Sequence, residues 1–383
     1  MIISHLKLKN WKNFRNVDIP LRQRVFVVGA NASGKSNFLD VFRFLRDIVK
    51  QGGGLQKAVS DRKGIPKIRC YSARIEPQIE IEVQLSDDFD TVPRWKYSLG
   101  LVTETGGKNN PIILHEKIWK GEILIKERPD NDDIIDSLRK TQTHLEQITA
   151  NQSFREISDY FKSICYLNVI PHLLRHPEFY IGPEAQEDLY GRTFIDKVAS
   201  TPDKTRNARL KKIEQALRIA VPQLKELSLS YVKNVPHLEA VYEHWRPKAG
   251  KQTEEQFSDG TIRLIGFLWS LLEGDSLLLL EEPEISIHAE LVRKFPGLIS
   301  RFQQKKKRQI IISTHSSDLL SDSGIGGEET LLLLPDKKEC TKIELASSIE
   351  DVKYLLQNGF TIAEAALPKT AQRSFQQLSL FNA

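Results

Sequence analysis

One stretch near the start of the chain has the residue types and spacing of a phosphate-binding loop. It reads Gly29-Ala30-Asn31-Ala32-Ser33-Gly34-Lys35-Ser36 and fits the pattern G-x-x-x-x-G-K-[ST]. The apolar run Val25–Val28 precedes it, and apolar residues at helical spacing follow from Phe38 to Leu45. Strand, glycine-rich loop and helix are the context in which this pattern binds the phosphates of a nucleotide.

The chemistry expected at each position follows from the charge of the phosphates. Backbone N–H groups of the glycine-rich turn surround a β-phosphate, and the helix N-terminus adds its positive dipole. We expect Lys35 to reach the β- and γ-phosphates and the Ser36 hydroxyl to ligate Mg²⁺. The predicted nucleotide-binding residues are Gly29, Asn31, Ala32, Ser33, Gly34, Lys35, Ser36 and Asn37.

Two later apolar runs end in groups suited to phosphoryl transfer. Leu277–Leu280 predicts a buried parallel strand, and Glu281-Glu282-Pro283-Glu284 follows it. Carboxylates at the carboxyl end of such a strand face the crevice where open α/β sheets bind ligands. We expect Glu281 to hold Mg²⁺, directly or through water, and Glu282 to polarise the attacking water. A third strand, 309–312, ends in Ser-Thr-His, where His315 can sense a γ-phosphate.

The tripeptide Ser258-Asp259-Gly260 offers a second anion-binding feature. It precedes a helical stretch from Ile262 to Leu272, so a hydroxyl, a glycine and backbone N–H groups gather at a helix start. Most such tripeptides are only caps or turns. This one lies just upstream of the acidic strand, and we therefore include Ser258, Asp259 and Gly260 among the candidate site residues.

Composition limits the class of protein. A chain of 383 residues can form two domains or one large core with insertions, and 27% charged residues are typical of a soluble globular protein. The sequence has neither a signal peptide nor a membrane-spanning run, so we expect a cytoplasmic protein without a membrane partner. Three scattered cysteines predict reduced thiols. A net charge of +5 permits nucleic-acid contact without arguing for it.

The remaining pattern predicts an α/β fold with two interruptions. Alternating segments predict an antiparallel β region at 79–85, 95–102, 112–119 and 122–126. From residue 132 the period becomes helical and predicts a helical lid or insert. We divide the chain into 1–131, the first half of the core with the P-loop and the antiparallel region; 132–221, the helical insert; 222–346, the second half of the core; and 347–383, C-terminal helices and a polar tail.

Two basic stretches allow different interpretations. The predicted helix from 205 to 221 carries Lys and Arg on its polar side, which is either a solvated face or a contact to a phosphate backbone. The run Lys305–Arg308 falls at the expected end of a helix, where cations complement the helix dipole. Pro296 predicts a kink or break in that helix. The sequence contains no long heptad run, so we expect no long coiled coil.

The order of these motifs resembles the ABC-class ATPases of the SMC, RecF and OLD group, and most of all OLD-like "AAA family" proteins without a long coiled coil. The resemblance implies an ABC-type P-loop core that binds ATP and Mg²⁺, with Glu282 and His315 as catalytic residues. It also implies that Ser258, Asp259 and Gly260 act in trans on ATP bound by the opposite subunit of a head-to-tail homodimer or higher homo-oligomer. Glu281 stands where many members have Asp, and Gln78 is the candidate for the family's Q-loop.

The resemblance leaves two functions open. OLD nucleases continue into a TOPRIM nuclease domain, whereas about 65 residues follow the Ser-Thr-His segment here, so we expect no nuclease activity in this chain. The first hypothesis is a dimeric, nucleotide-dependent switch that controls a separate effector, a TOPRIM-like nuclease or another toxin, in phage defence. The alternative is a RecF- or SMC-like clamp that binds double-stranded DNA in repair or maintenance. The nucleotide-binding subunit of a transporter fits less well, because the N-terminal sequence and the insert do not resemble such subunits.

Overall fold

The computed structural model describes residues 1–73, 76–104, 110–177, 191–243, 250–336 and 340–370. The strands of these ranges, in chain order, are β1 Ile2–Trp11, β2 Phe14–Pro20, β3 Arg24–Val28, β4 Ile79–Ser86, β5 Trp95–Thr103, β6 Pro111–Lys120, β7 Ile123–Arg128, β8 Cys165–Leu167, β9 Leu224–Val232, β10 Val235–Tyr242, β11 Lys251–Thr253, β12 Leu278–Glu281, β13 Ile310–Thr314, β14 Thr330–Pro335 and β15 Thr341–Leu345.

The helices of the same ranges are α1 Lys35–Val49, α2 Leu55–Ser60, α3 Ile65–Ile68, α4 Asn131–Ile135, α5 Arg155–Lys162, α6 Pro171–Arg175, α7 Phe194–Ser200, α8 Asp203–Ala220, α9 Asp259–Leu272, α10 Ala289–Val292, α11 Phe295–Lys305, α12 Ser317–Leu320, α13 Glu350–Gln357, α14 Ile362–Ala365 and α15 Leu367–Thr370. No helix in the described part of the chain is both long enough and apolar enough to cross a bilayer.

A mostly parallel sheet of six strands positions the predicted motifs. Its order is β15-β14-β3-β13-β12-β8, and only the edge strand β15 runs antiparallel to its neighbour. The central strands are apolar and buried on both faces, as parallel strands between two layers must be. Glu281 pairs with Ser313, and Thr314 pairs with Val28. The chain therefore leaves β3, β12 and β13 at the same edge of the sheet.

The two faces of this sheet belong to different hydrophobic cores. Alternate residues of the central strands point one way, toward α1 and a second sheet. That sheet is fully antiparallel, with the order β2-β1-β4-β5-β6-β7. The intervening residues point the other way, toward α8, α9, α11 and the small antiparallel sheet β11-β10-β9. The period-2 alternation of strand side chains thus divides each central strand between two cores.

Most predicted elements occur where the sequence indicates them. The four antiparallel strands are present within two residues of their predicted ends, and they share a sheet with the N-terminal hairpin β1–β2. The helix predicted around Pro296 is divided into α10 and α11, with Pro296 in the first turn of α11, where a missing N–H costs no hydrogen bond. Trp269, on α9, is buried.

One local expectation was wrong. The region 132–175 was expected to be helical, but β8 lies within it and pairs with β12. A strand of three residues is too short to interrupt a helical period visibly in sequence. The run Lys305–Arg308 does fall at a helix end as expected, since α11 ends at Lys305; its last residue, Arg308, is buried, and its guanidinium donates to the Ser270 and Ser276 carbonyls. The polar tail predicted at the C-terminus, from residue 371, lies outside the described residues.

The carboxylate of Glu146 connects the start of α2 to the segment that follows a 3₁₀ helix at Ser137–Thr141. It accepts hydrogen bonds from the backbone N–H groups of Leu55, at 2.6 Å, and Thr143, at 3.0 Å. Burial raises the pKa of the Glu146 carboxyl to about 7, although both N–H donors favour the charged form. The folded protein therefore holds a proton on Glu146 more tightly than the unfolded chain does.

This shift predicts a pH dependence of stability. Below the unfolded pKa of 4.5 the carboxyl is protonated in both states, whereas above about 7 the folded state bears the full cost of the buried charge. We expect the free energy of unfolding of the wild type, relative to that of Glu146→Gln, to fall as pH rises from 4.5 to 7. Urea unfolding across this range measures it. Glu122→Gln, which removes an exposed carboxylate, is the control, and equal pH profiles for both variants would contradict the expectation.

Candidate functional site

The loop between β3 and α1 is coiled so tightly that two of its positions require glycine. Gly34 has φ +102°, and a Cβ there would lie 2.1 Å from Asn13 Nδ2. A Cβ on Gly29 would lie 2.4 Å from Ser33 Oγ. Ala32 also has a left-handed φ, +63°, and Asn31 is exposed at the loop surface. The left-handed turn at Gly34 leads directly into α1, so the backbone N–H groups at the helix start face the loop.

Two side chains that are far apart in the sequence support this loop by donating to one of its carbonyls. Asn13 Nδ2, in the β1–β2 turn, donates to the Ser33 carbonyl at 2.8 Å, and Thr341 Oγ1, at the start of β15, donates to the same carbonyl at 2.8 Å. Asn37 Nδ2 donates to Asn13 Oδ1 at 2.8 Å. Neither Asn13 nor Thr341 is among the predicted site residues, because no motif or spacing in the sequence relates them to the loop.

Residues predicted from three separate motifs meet above the sheet edge. Lys35 Nζ donates to the carbonyls of Gly29, at 3.0 Å, and Ala30, at 3.2 Å, and lies 3.3 Å from Glu282 Oε1. The same Glu282 oxygen lies 3.0 Å from His315 Nδ1. A cation, a carboxylate and an imidazole are therefore in direct contact at the ends of β3, β12 and β13.

Glu282 has an unusual backbone conformation. Its φ is +42°, in the left-handed region that side chains other than glycine seldom adopt, and its N–H donates to the Ser313 carbonyl at 3.0 Å. Such a conformation carries a cost and persists only where the surrounding structure imposes it. Here it turns the Glu282 carboxylate toward Lys35 and His315, immediately after the strand ends.

The neighbouring carboxylate, Glu281, has a partner on each oxygen. Ser36 Oγ donates to Oε1, and the Tyr166 hydroxyl donates to Oε2. Burial and the charge of Glu281 raise the pKa of Tyr166, so this hydroxyl remains a donor. The Arg43 guanidinium lies 4.4 Å from the centre of the Tyr166 ring. Tyr166 lies on β8, the strand that was not predicted because this region was expected to be helical.

The last glutamate of the acidic motif lies away from the cluster. Glu284 is 8% exposed and accepts a hydrogen bond from Thr314 Oγ1. Burial raises its pKa, and the Thr314 hydroxyl opposes that shift. Glu284 thus links the loop after β12 to the end of β13. The Q-loop candidate, Gln78, contributes its backbone carbonyl, which accepts a hydrogen bond from Asn10 Nδ2 at 2.8 Å.

The Ser258-Asp259-Gly260 segment forms a separate surface. Ser258 is the N-cap of α9, and its Oγ accepts from the Thr261 N–H at 3.2 Å. Arg175 donates to Asp259 Oδ1 at 2.7 Å. A Cβ on Gly260 would lie 2.4 Å from the Ser286 carbonyl oxygen. Ser258 and Asp259 are exposed, and within the described residues no hydrogen bond or ion pair joins this segment to the Lys35 cluster.

The polar groups of the loop are suited to a nucleotide with its metal ion. Ser33 Oγ is buried and has no hydrogen-bond partner among the described residues. Ser36 Oγ and Glu281 Oε1 are adjacent oxygen donors, the kind that Mg²⁺ prefers. No group of three or more His, Cys, Asp or Glu side chains forms a metal site in the described ranges. Mg²⁺ in phosphate sites is characteristically held by one or two protein oxygens together with substrate phosphates, so the donor set fits this mode.

Comparison with known proteins identifies a family, a relative of known name and a similar solved structure. Residues 24–322 match the family described as "AAA domain, putative AbiEii toxin, Type IV TA system". The chain is 23% identical over 345 residues to "Endonuclease GajA" of Bacillus cereus (strain VD045), an alignment that covers 84% of this chain and 56% of that protein. The chain thus spans about half the length of this relative.

Among solved structures, the crystal structure of the SmcHead bound to the C-winged helix domain of ScpA has a TM-score of 0.53 and 15% identity. The superposition covers 90% of this chain and 98% of that one. At this level of identity the similarity concerns the fold alone. It confirms the expected ABC-type α/β core and the resemblance to the group that contains SMC proteins.

The contact between Tyr166 and Glu281 predicts a metal-specific defect. We expect Tyr166→Phe to lower the affinity for Mg²⁺ in the presence of ADP about tenfold, because loss of a hydrogen bond that orients a metal-binding carboxylate has that effect. ADP binding in EDTA should stay unchanged. Titration calorimetry with each ligand measures both. Tyr160→Phe, a buried tyrosine packed on Phe161, is the control; equal Mg²⁺ affinities for the two variants would exclude the orienting role.

Proposed function

The chain belongs to the family described as AAA domain, putative AbiEii toxin, Type IV TA system, and on that premise we propose that it is an ATPase that works as a dimeric switch controlling an effector in phage defence. The observation that carries the proposal is the convergence of Lys35, Ser36, Glu281, Glu282 and His315 at one edge of the parallel sheet. A cation, two adjacent oxygen donors and a carboxylate held by an imidazole are the groups that phosphoryl transfer to water requires.

In the proposed mechanism the loop from Gly29 to Ser36 binds the phosphates of ATP. Ser36 and Glu281 would hold Mg²⁺, which supplies charge neutralisation at the phosphates. Lys35 donates to the γ-phosphate in place of Glu282, its present partner at 3.3 Å. Glu282 then accepts a hydrogen bond from the attacking water, and His315, 3.0 Å from Glu282 Oε1, fixes the direction of that carboxylate. Catalysis is positional and electrostatic.

The proposed dimer follows from the position of the Ser258-Asp259-Gly260 surface. Its exposed hydroxyl and the N-terminus of α9 form an anion-binding feature that makes no contact with the Lys35 cluster of the same chain within the described residues. A second copy placed head-to-tail would present this surface to the γ-phosphate. Each active site would then consist of Lys35 from one subunit and Ser258 from the other, so nucleotide binding and dimerisation would depend on each other.

The nature of the effector is supported by the relatives. The matched protein GajA is named an endonuclease, and the family description includes a toxin. We propose that the effector is a nuclease or another toxin, on a separate chain, and that closure of the ATP-bound dimer controls it.

The alternative function is an ATP-dependent DNA clamp. The exposed lysines of α8, Lys204, Lys211 and Lys212, and the similarity to the SMC head favour it. Other cations of the same helix are engaged within the chain: Arg206 pairs with Asp203, and Arg218 pairs with Glu214. The helix therefore offers fewer unengaged charges than its sequence indicates, and we give the switch precedence.

Two substitutions separate binding from hydrolysis. Lys35→Ala should abolish measurable ATP binding, because it removes the cation that contacts the γ-phosphate. Glu282→Gln should retain binding and lower the rate of hydrolysis at least about 100-fold, the usual contribution of a group that activates water. Equilibrium dialysis with ATP and a phosphate-release assay measure the two effects. A wild-type rate for Glu282→Gln would refute its assignment.

The oligomeric state of the Glu282→Gln protein distinguishes the two functions. We expect light scattering after gel filtration to show a shift from monomer to dimer on addition of ATP and Mg²⁺, since unhydrolysed nucleotide should hold the two subunits together. The measurement is repeated with duplex DNA. A dimer that ignores DNA supports the switch. A dimer that retains DNA, and loses it when Lys211 and Lys212 are changed to Glu, supports the clamp. A mass that does not respond to nucleotide contradicts both.

A mixing experiment tests whether the active site is shared. Lys35→Ala and Ser258→Arg should each be inactive alone. In a heterodimer of the two, one site combines the intact Lys35 of one chain with the intact Ser258 of the other. A mixture should therefore recover ATPase activity, with each mixed dimer reaching about half of the wild-type rate because one of its two sites is intact. No recovery, with both variants folded and dimerising, would exclude a site completed in trans.

A further inference from the structure

Two of the three cysteines lie side by side next to the phosphate-binding loop. Cys70 Sγ and Cys340 Sγ are 3.8 Å apart, and the Ser72 hydroxyl lies 2.9 Å from Cys340 Sγ and 3.3 Å from Cys70 Sγ. Their residues are 2% and 8% exposed. The pair is separated by 270 positions in the sequence, so only the fold brings the two thiols together.

The surroundings of this pair allow a disulfide to form. The sulfur atoms would have to approach by about 1.8 Å to reach the bonded distance. The neighbouring Tyr71 is 81% exposed, so the thiols lie directly beneath the surface. Cys165 is elsewhere, on β8, where its sulfur lies 3.8 Å from Ser276 Oγ.

Both cysteines belong to segments that support the phosphate-binding loop. Cys340 is followed by Thr341, whose N–H donates to the Asn13 carbonyl at 2.8 Å and whose Oγ1 donates to the Ser33 carbonyl at 2.8 Å. The Cys70 N–H donates to the Asn10 carbonyl at 3.0 Å, on the strand that leads to Asn13. A bond between the sulfurs would therefore join the two segments that hold the β1–β2 turn against the loop.

From this arrangement we propose that Cys70 and Cys340 form an oxidation site whose disulfide weakens ATP binding at the loop. The effect on ATP rests on the proposed function; the formation of the disulfide does not. Because Thr341 shares a peptide bond with Cys340, drawing Cys340 toward Cys70 displaces the donor that holds the Ser33 carbonyl. The loop then loses one of its two supports, and the N–H groups that surround the phosphates lose their alignment.

The oxidant class that suits the site is a small disulfide. The Cys340 thiol, the more exposed of the two, loses its proton and attacks glutathione disulfide, forming a mixed disulfide and releasing one glutathione thiol. The Cys70 thiol then loses its proton and attacks the Cys340 sulfur, and the second glutathione leaves as a thiol. The two cysteines give up two electrons, and glutathione disulfide takes them up as it is reduced to two thiols.

The first part of the test counts thiols. The reduced full-length protein is incubated with glutathione disulfide, unfolded, alkylated with iodoacetamide and analysed by mass spectrometry. We expect one alkylated cysteine in place of the three in the reduced protein and a mass about 2 Da lower before alkylation. After digestion, the peptides that contain Cys70 and Cys340 should be linked by a disulfide. Three alkylated cysteines, glutathione retained on Cys340, or a linkage to Cys165 would overturn the proposal.

The second part measures ATP affinity by equilibrium dialysis before and after oxidation. We expect the affinity of the wild type and of Cys165→Ser to fall about tenfold and to recover with dithiothreitol, because a coupling of this kind between two sites has that size. Cys70→Ser should not respond to glutathione disulfide; Cys70→Ala replaces it if it does not fold. A disulfide that leaves ATP affinity unchanged would overturn the coupling. Failure of the reduced protein to bind ATP would refute the proposed function, while the thiol count would still test the oxidation site.

Discussion

Parallel pairing of β3, β13 and β12 aligns the ends of three strands that are distant in sequence. The pairs Glu281 with Ser313 and Thr314 with Val28 mean that the next residues along each strand leave the sheet within one residue of the same level. Those next residues are Glu282, His315 and the first glycine of the loop. A shift of one residue in either pairing would turn the side chains of one strand to the opposite face. The apolar residues that alternate between two cores oppose such a shift, so the geometry of the site depends on the packing of the sheet.

The two neighbouring glutamates illustrate how different surroundings assign different chemistry to the same residue type. Glu281 ends β12 and is oriented by hydroxyl groups of Ser36 and Tyr166. Glu282, with its left-handed backbone, contacts the charged Lys35 and the ring of His315. Hydroxyl donors leave a carboxylate able to accept a metal ion, whereas contact with Lys35 and an imidazole holds the other near the position of a γ-phosphate. The change of backbone direction between them is what separates the two roles that we propose.

The phosphate-binding loop depends on parts of the chain that lie outside the parallel strands preceding it. Asn13 comes from the antiparallel sheet, and Thr341 comes from the edge strand β15, yet both donate to the Ser33 carbonyl. A loop that must present N–H groups to a ligand is more stable when other parts of the chain hold its carbonyls. The same support connects the Cys70–Cys340 pair to the loop, because Thr341 follows Cys340 and donates to the Ser33 carbonyl.

Sequence by itself determined the class of fold, most strand and helix positions, and the identities of Lys35, Ser36, Glu281, Glu282 and His315 as candidates. These features are local: a glycine pattern between a strand and a helix, and polar residues directly after apolar runs. Tertiary structure alone decided that β8 joins the core sheet, that Tyr166 holds Glu281, that Arg308 is buried, and that Asn13, Thr341 and the cysteine pair surround the loop. Most of these contacts join residues distant in sequence, 308 positions apart for Thr341 and Ser33 and 270 for the two cysteines. No periodicity or spacing in the sequence predicts these contacts, because they arise only when separate sheets and loops pack against one another.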